Sequence, residues 1–308
     1  MNLLKVGQYK RYYGYYRYGT LTKHFNLTKA LYNWLIQKKH INTKPALLKV
    51  EISRACGLSC PYCLAKKEDG VFFPFEEYKK LVDQLKKYIY LVSLYDIGEP
   101  LENKNVIDYI EYASKNNIGS TISTHLSLER PDEFWEKLVL SGLHTMVVAI
   151  DGITSDVYMR YRKGGNFELV MENLKKIIAY KKHHKAKVII EWQMIAFGWN
   201  EHQLAAARVM AKKMGCDVFR IIPDCSVRKK YQKENAIRTR NCILPYLIFI
   251  VDAYNRIRPC YKFYKIPNFT GNYIDGGLEK NWNNEQIKVI RCGKTIGSRE
   301  PCSTCIES

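Results

Sequence analysis

The amino-acid sequence predicts an α/β fold in which parallel strands close, fully or partly, into a barrel, with a small cysteine-bearing unit after it. Three observations carry that expectation. From residue 46 onward, short β-rich runs alternate with helical patterns. Three thiols, Cys56, Cys60 and Cys63, fall in one loop directly after the first of those runs. Beyond about residue 236 the alternation stops and four more cysteines appear. These transitions divide the chain into a basic, Tyr-rich segment (1–45), a barrel (46–235) and a C-terminal unit (236–308).

The first segment is set apart by charge. The chain carries 49 Lys+Arg against 30 Asp+Glu, a formal +19, and no acidic residue precedes Glu51. Such a field favours anionic partners: a charged small substrate, an acidic peptide, nucleic acid or an anionic membrane surface. Tyr9 to Tyr18 interleaves aromatics with cations, a pattern that suits base stacking or packing over a barrel. Asn26 is expected to cap a helix in which Leu27, Leu31, Trp34 and Leu35 share a docking face and Lys38 and Lys39 close the end. Such a basic amphipathic helix also suits a membrane interface. Pro45 ends the segment.

Strands are expected at 47–52, 91–96, 119–123, 145–150, 188–194 and 218–222, with helices near 74–88, 105–116, 132–141, 167–183 and 201–214 between them. Crossovers of this βα kind put reactive groups at the C-terminal ends of the strands. Gln193, from the fifth strand, and Asp224 and Cys225, just after the sixth, are therefore candidates to orient substrate or pass hydrogen. Tyr231 is a weaker one. No apolar run is long enough to span a bilayer, and the opening Met-Asn-Leu-Leu-Lys lacks a signal peptide's apolar core. A cytoplasmic location follows, and ten cysteines there argue for metal binding rather than disulfides.

The loop after the first strand has the spacing CxxxCxxC. Thiolates are soft ligands for iron–sulfur clusters or zinc, and a closed site of either kind needs four protein ligands. Three adjacent thiolates therefore suggest a [4Fe–4S] cluster with one iron left open. A zinc site with a distant fourth ligand, or buried free cysteines, are the alternatives.

At this motif, with Tyr62 just before the third cysteine, the sequence resembles the radical S-adenosylmethionine (SAM) superfamily. The resemblance implies a partial (β/α)6 barrel in which Cys56, Cys60 and Cys63 hold the cluster, Tyr62 lies near SAM, and the open iron binds SAM for reductive cleavage to a 5′-deoxyadenosyl radical. It also implies an electron donor such as a flavodoxin or ferredoxin. Asp96-Ile97-Gly98-Glu99-Pro100 resembles the family's Gly-Gly-Glu-Pro motif, with Ile97 in place of the first Gly; Gly98, Glu99 and Pro100 would then lie against the amino group of SAM. Ser123-Thr124-His125 stands where relatives often carry Thr-Asn-Gly near the ribose, which makes Thr124 a candidate contact and His125 a possible proton carrier. Val148-Ala149-Ile150-Asp151-Gly152 resembles Ser-x-Asp-Gly and keeps the carboxylate at Asp151. Tyr158-x-x-Tyr161-Arg162-x-Gly164-Gly165 follows, and an Arg at the position of Arg162 is expected to pair with the SAM carboxylate, a task that suits its planar fork.

Cys242, Cys260 and the closing pair Cys302 and Cys305 can ligate one further metal centre, a second [4Fe–4S] cluster or a zinc ribbon. Between the first two, residues 247–260 read as a hairpin. The arrangement resembles the shortened SPASM, or twitch, extension of radical SAM enzymes, which holds one auxiliary cluster; Cys216, Cys225 and Cys292 are too scattered to hold another. Two clusters imply net oxidation, because a substrate radical can lose its second electron to the auxiliary one. Dehydrogenation of a hydroxyl on a sugar-like or other anionic small molecule is the leading expectation. Modification of a ribosomally made peptide is the runner-up, since the short basic segment leaves no room for a separate peptide-recognition domain. A basic iron–sulfur protein that binds RNA or carries electrons is the reading from another class, and the open iron argues against it.

Overall fold

The structure, a computed structural model, describes residues 16–63, 70–224, 242–261, 263 and 271–291. Cys225, Tyr231, Cys302 and Cys305 lie outside the described residues, as does most of the Tyr9 to Tyr18 stretch.

Six strands are found where the alternating pattern expects them: β1 Leu47–Val50, β2 Leu91–Ser93, β3 Gly119–Thr124, β4 Thr145–Ala149, β5 Ile189–Ala196 and β6 Val218–Pro223. Each pairs in parallel with the next. The helices between them are α2 Phe75–Leu85, α3 Val106–Lys115, α4 Asp132–Leu140, α5 Ser155–Tyr161, α6 Phe167–His183 and α7 Leu204–Met214, preceded by α1 Leu21–Leu35. Pro74 and Pro131 stand at the N-caps of α2 and α4, where a missing N–H costs nothing.

Among the described residues the sheet has eight strands rather than six. After α8 Leu244–Leu247, strand β7 Ile248–Val251 pairs in parallel with β1, and β8 Ile257–Arg258 pairs antiparallel with β7. The hairpin expected in the C-terminal unit thus extends the barrel sheet, in the order β6-β5-β4-β3-β2-β1-β7-β8. Helices α9 Tyr273–Trp282 and α10 Glu285–Arg291 follow.

Register sorts the two faces of the sheet. Ile122, Met146 and Ile190 are neighbours on one face and join a continuous apolar core with Leu81, Ile110, Trp135, Leu174 and Ile177 of the helices. On the other face Lys49, Ser93, Thr121 and Thr145 are in register, as are Gln193 and Arg220. The core lies between sheet and helices, and the inner face carries these polar side chains among apolar ones such as Val147 and Ala149.

α1 departs from its expected geometry. It begins at Leu21 with Thr20, not Asn26, as N-cap, the Thr20 hydroxyl accepting the Lys23 N–H at 3.3 Å. Its buried residues are Lys23, Asn26, Ala30 and Asn33, whereas Leu35 is 64% exposed and Leu27, Leu31 and Trp34 only half-buried. The surface under the helix explains the inversion. Carbonyls just before the helix and in turns at the N-terminal end of the barrel need donors: Lys23 Nζ donates to Tyr18 O (2.9 Å) and Asn117 O (2.7 Å), and Asn26 Nδ2 to Lys44 O (2.9 Å). Burial lowers the Lys23 pKa to about 8. Satisfying a buried carbonyl outweighs burying one more leucine there.

Candidate functional site

The loop that follows β1 crosses the C-terminal end of the sheet and is clamped from both sides. Glu99 N–H donates to Ala55 O (2.8 Å), Ser59 N–H to Lys163 O (2.9 Å), and Asn103 Nδ2 to Ile52 O (2.8 Å). Gly98 is required by this crossing. A Cβ there would lie 2.2 Å from Ser53 O, so the Gly serves the contact of two loops, whereas its sequence context pointed to close approach of a ligand.

Cys56 and Cys60 are half-buried, and Cys63 is exposed. Burial pushes the Cys56 thiol up to about 12, with Glu99, Cys60 and Cys63 adding to the rise. Burial also raises Cys60, opposed by Arg162, which attracts its sulfur and hydrogen-bonds to it. Tyr62 takes a left-handed backbone at φ 69° and leaves its ring 83% exposed.

Glu99 is buried beneath this loop. Its Oε1 accepts the Leu101 N–H (3.1 Å), its Oε2 accepts the His125 N–H (3.0 Å), and the Thr124 hydroxyl also bonds to it. Burial raises the carboxyl to about 7 against those bonds and the pull of Arg162. Pro100 opens the short 3-10 turn that Glu99 caps. Thr124 is thus buried against Glu99. His125 is buried too, and burial followed by Arg162 lowers it to about 3. Its Nδ1 accepts the Ser127 N–H (3.0 Å), which puts the ring proton on Nε2, 3.3 Å from Glu99 Oε2. The left-handed residue after β3 is Leu126, at φ 54°, held by its N–H to Thr124 Oγ1 and its carbonyl to Asn173 Nδ2. Such a conformation costs a non-glycine residue about 1 to 2 kcal/mol.

Asp151, past the end of β4, holds Arg162 at the end of α5. Arg162 Nε donates to Asp151 Oδ2 at 2.6 Å, and Ile195 N–H to Asp151 Oδ1 at 2.6 Å. Asn200 Nδ2 ties the Asp151 and Ile195 carbonyls together. The guanidinium of Arg162 therefore stands among Asp151, Cys60 and the rings of Tyr158 and Tyr161, and interacts electrostatically with Glu99. Tyr158 is fully buried in the same group, and its hydroxyl has no hydrogen-bond partner among the described residues.

Several groups of the site carry little signal in the sequence. Glu51, fully buried, accepts N–H groups from Ile97 (3.0 Å), Gly98 (3.3 Å) and Ala253 (3.2 Å) and pairs with Arg54 (3.2 Å). One carboxylate thus ties the loop after β1, the loop after β2 and the β7–β8 turn together. Its only mark in the sequence is to be the first acid, at the end of a strand. Asp96 pairs with Lys49 from β1 and Arg258 from β8; burial works against its charge, and the two cations outweigh burial and hold the carboxyl below its usual range. On the opposite wall Arg220 bridges Glu191 and Gln193. Gln193 is therefore inside the barrel, as the strand reading requires, and Asp224 is half-buried just beyond β6. Cys242 and Cys260 are half-buried, the latter two residues after Arg258.

Among the described residues no three His, Cys, Asp or Glu side chains are arranged to hold a single metal ion. A cubane asks for something else, one thiolate on each of three irons, which spreads the sulfurs more widely. Cys56, Cys60 and Cys63 sit on one clamped loop and are electrostatically coupled, the donor set such a cluster needs. The unsatisfied Tyr158 hydroxyl and the Arg162 fork supply donors for an anionic ligand beside them. The residues fit an iron–sulfur cluster with SAM.

Comparison with known proteins agrees. Residues 50–191 match the model of the Radical SAM superfamily. The mycofactocin maturase MftC of Mycobacterium ulcerans is 25% identical over 156 residues, 50% of this chain and 42% of its own length. The matched stretch thus spans less than half of that relative. Among solved structures, Streptococcus suis SuiB bound to the precursor peptide SuiA superposes with a TM-score of 0.61 at 17% identity, covering 83% of this chain and 69% of that one. BtrN in complex with AdoMet and 2-DOIA superposes with a TM-score of 0.55 at 18% identity, covering 86% and 94%. At such identities the superpositions speak for the fold alone.

Proposed function

We propose that this chain, a member of the radical SAM superfamily through residues 50–191, abstracts a hydrogen atom from a polar substrate held at the C-terminal mouth of its barrel. One observation carries the reading: three thiols, Glu99 and the Arg162–Asp151 pair converge at that mouth from the ends of β1, β2 and β4. When bound, a [4Fe–4S] cluster with SAM supplies one-electron cleavage of the sulfonium and a 5′-deoxyadenosyl radical. Cys56, Cys60 and Cys63 would hold that cluster. Arg162, kept in place by Asp151, is the group for the SAM carboxylate, since its five-donor fork has N–H groups beyond those that meet Asp151 and Cys60. Glu99, Gly98 and Pro100 shape the amino-group side. His125, neutral at physiological pH, and Thr124 fix the Glu99 carboxylate rather than titrate with it. Gln193 and Arg220 project toward the substrate side, with Asp224 and Cys225 beyond them in the chain.

A peptide is the substrate class that similarity favours, because MftC is a maturase and SuiB was crystallised with a precursor peptide. Oxidation of a hydroxyl on a small polar molecule is the second reading; a small-molecule substrate is supported by the likeness to BtrN, solved with AdoMet and 2-DOIA, and by a barrel interior lined with paired charges. In either case Cys242, Cys260, Cys302 and Cys305 would hold an auxiliary cluster that takes the second electron. Anaerobic reconstitution tests this. The protein should bind roughly eight irons, four per cubane, and form 5′-deoxyadenosine with reductant and SAM. Cys56→Ala, Cys60→Ala and Cys63→Ala should each abolish that cleavage, and Arg162→Ala should weaken SAM binding at unchanged iron content. Product mass spectrometry then separates a cross-linked peptide from a small molecule lacking a hydrogen pair. Zinc as the native metal of the first site would defeat the proposal.

A further inference from the structure

α1 buries Lys23, Asn26, Ala30 and Asn33 and leaves several of its large apolar residues facing out. Leu21 is 90% exposed and Phe25 72%, and Tyr32, Leu35 and Ile36 are each more than half exposed. At 100° per residue these five share one stripe on the side away from buried Lys23, Asn26, Ala30 and Asn33. Tyr16, equally exposed, stands just before the helix. A run of large apolar groups of this length on an outer face marks an interaction surface.

The basic residues around the stripe decide what it meets. Arg17, Lys29, Lys38 and Lys39 are all exposed, and no acidic residue occurs in the chain before Glu51. A second copy of the chain would bring the same positive field against itself, which disfavours self-association through this face. The stripe belongs to one helix lying on the end of the barrel. An exposed apolar stripe flanked by lysines suits a soft, continuous, negatively charged phase. We propose that α1 docks the enzyme peripherally on an anionic lipid bilayer, with Leu21, Phe25, Tyr32, Leu35 and Ile36 entering the acyl boundary and the flanking cations meeting the headgroups.

Geometry leaves the reaction site free in that pose. Lys23 bonds to Asn117, just before β3, and His24 to Tyr90, just before β2, so the helix covers the N-terminal end of the barrel. The thiol loop, Glu99 and Arg162 all lie at the opposite end. No helix among the described residues is long and apolar enough to cross a membrane, so the contact proposed is one of surface docking.

The test is flotation of the full-length reconstituted protein with vesicles of phosphatidylglycerol and phosphatidylcholine, and with vesicles of phosphatidylcholine alone. Binding should favour the anionic vesicles and fall with salt. Phe25→Ser with Leu35→Ser should weaken partitioning about tenfold or more per side chain, while 5′-deoxyadenosine formation in solution and the circular dichroism spectrum stay unchanged. Lys38→Glu with Lys39→Glu should abolish the preference for anionic vesicles. Failure to bind these vesicles, or equal binding by the Ser variant, overturns the proposal. So does a dimer seen by light scattering that the Ser variant loses, because the stripe then serves self-association.

Discussion

Glu51→Gln probes the element that joins the site to the C-terminal strands. The carboxylate has two jobs: it receives three backbone N–H groups, from Ile97, Gly98 and Ala253, and it balances the Arg54 guanidinium. The amide keeps one acceptor oxygen. If that oxygen stays with Ile97 and Gly98, the new NH2 faces the Ala253 N–H, donor against donor, and a buried N–H left unpaired costs about 1 to 3 kcal/mol. Breaking a buried ion pair from one side costs about 3 to 5 kcal/mol, because the remaining charge stays buried without its partner. The two costs overlap, since relaxation at one relieves the other. The expected loss is therefore about 3 to 5 kcal/mol, a large fraction of a typical folding free energy. Urea unfolding of wild type, Glu51→Gln, Arg54→Met and the double variant measures it, and the double variant should recover part of the loss. SAM affinity should fall with stability, because Ile97 and Gly98 lose their anchor. A Glu51→Gln protein with wild-type unfolding midpoint and wild-type SAM affinity would refute the reasoning.

Three further outcomes follow from the same geometry. Glu99 has its carboxyl raised from 4.5 to about 7, so its contribution to stability is fully present below 4.5 and is lost as pH rises through 7. Over that window the cluster-free wild type should lose about 3 kcal/mol relative to Glu99→Gln; parallel pH profiles for the two would contradict it. Tyr158→Phe removes only a hydroxyl without a partner among the described residues, so the cluster-free variant should unfold like wild type, or slightly later, while calorimetry of the reconstituted enzyme shows SAM bound about tenfold more weakly. Equal affinity would show that the hydroxyl has no ligand to serve. Replacing Cys302 and Cys305 together should leave 5′-deoxyadenosine formation in place while oxidised product collapses, with first-cluster iron and circular dichroism checked first. Normal product from such a variant would assign that pair a structural role.

Much of the architecture is legible in the chain because it is set by short-range pattern. The six βα strands and the helices between them follow from apolar periodicity, and helix 167–183 falls on the expected residues, with Asn166 capping it by accepting the Leu169 N–H. The cysteine spacing, the Gly-Glu-Pro turn and Asp151 with Arg162 are likewise local, since each motif sits at one strand end and parallel strands bring all those ends together. Where local pattern competes with long-range partners, the tertiary structure decides. Leu27, Leu31, Trp34 and Leu35 make a plausible buried face in isolation. The carbonyls of Tyr18, Asn117 and Lys44 need donors, and they draw Lys23 and Asn26 inward instead. The strand at Ile248–Val251 looks like half of an independent hairpin until it pairs with β1, two hundred residues earlier in the chain. Glu51, Asp96 and Arg258 have no motif of their own, because a buried charge is defined by partners that only folding brings near. Sequence determined which chemistry the chain can hold and at which strand ends. Folding decided which charges are buried together there and which face of α1 meets the solvent, because burial and pairing depend on distances that no local spacing encodes.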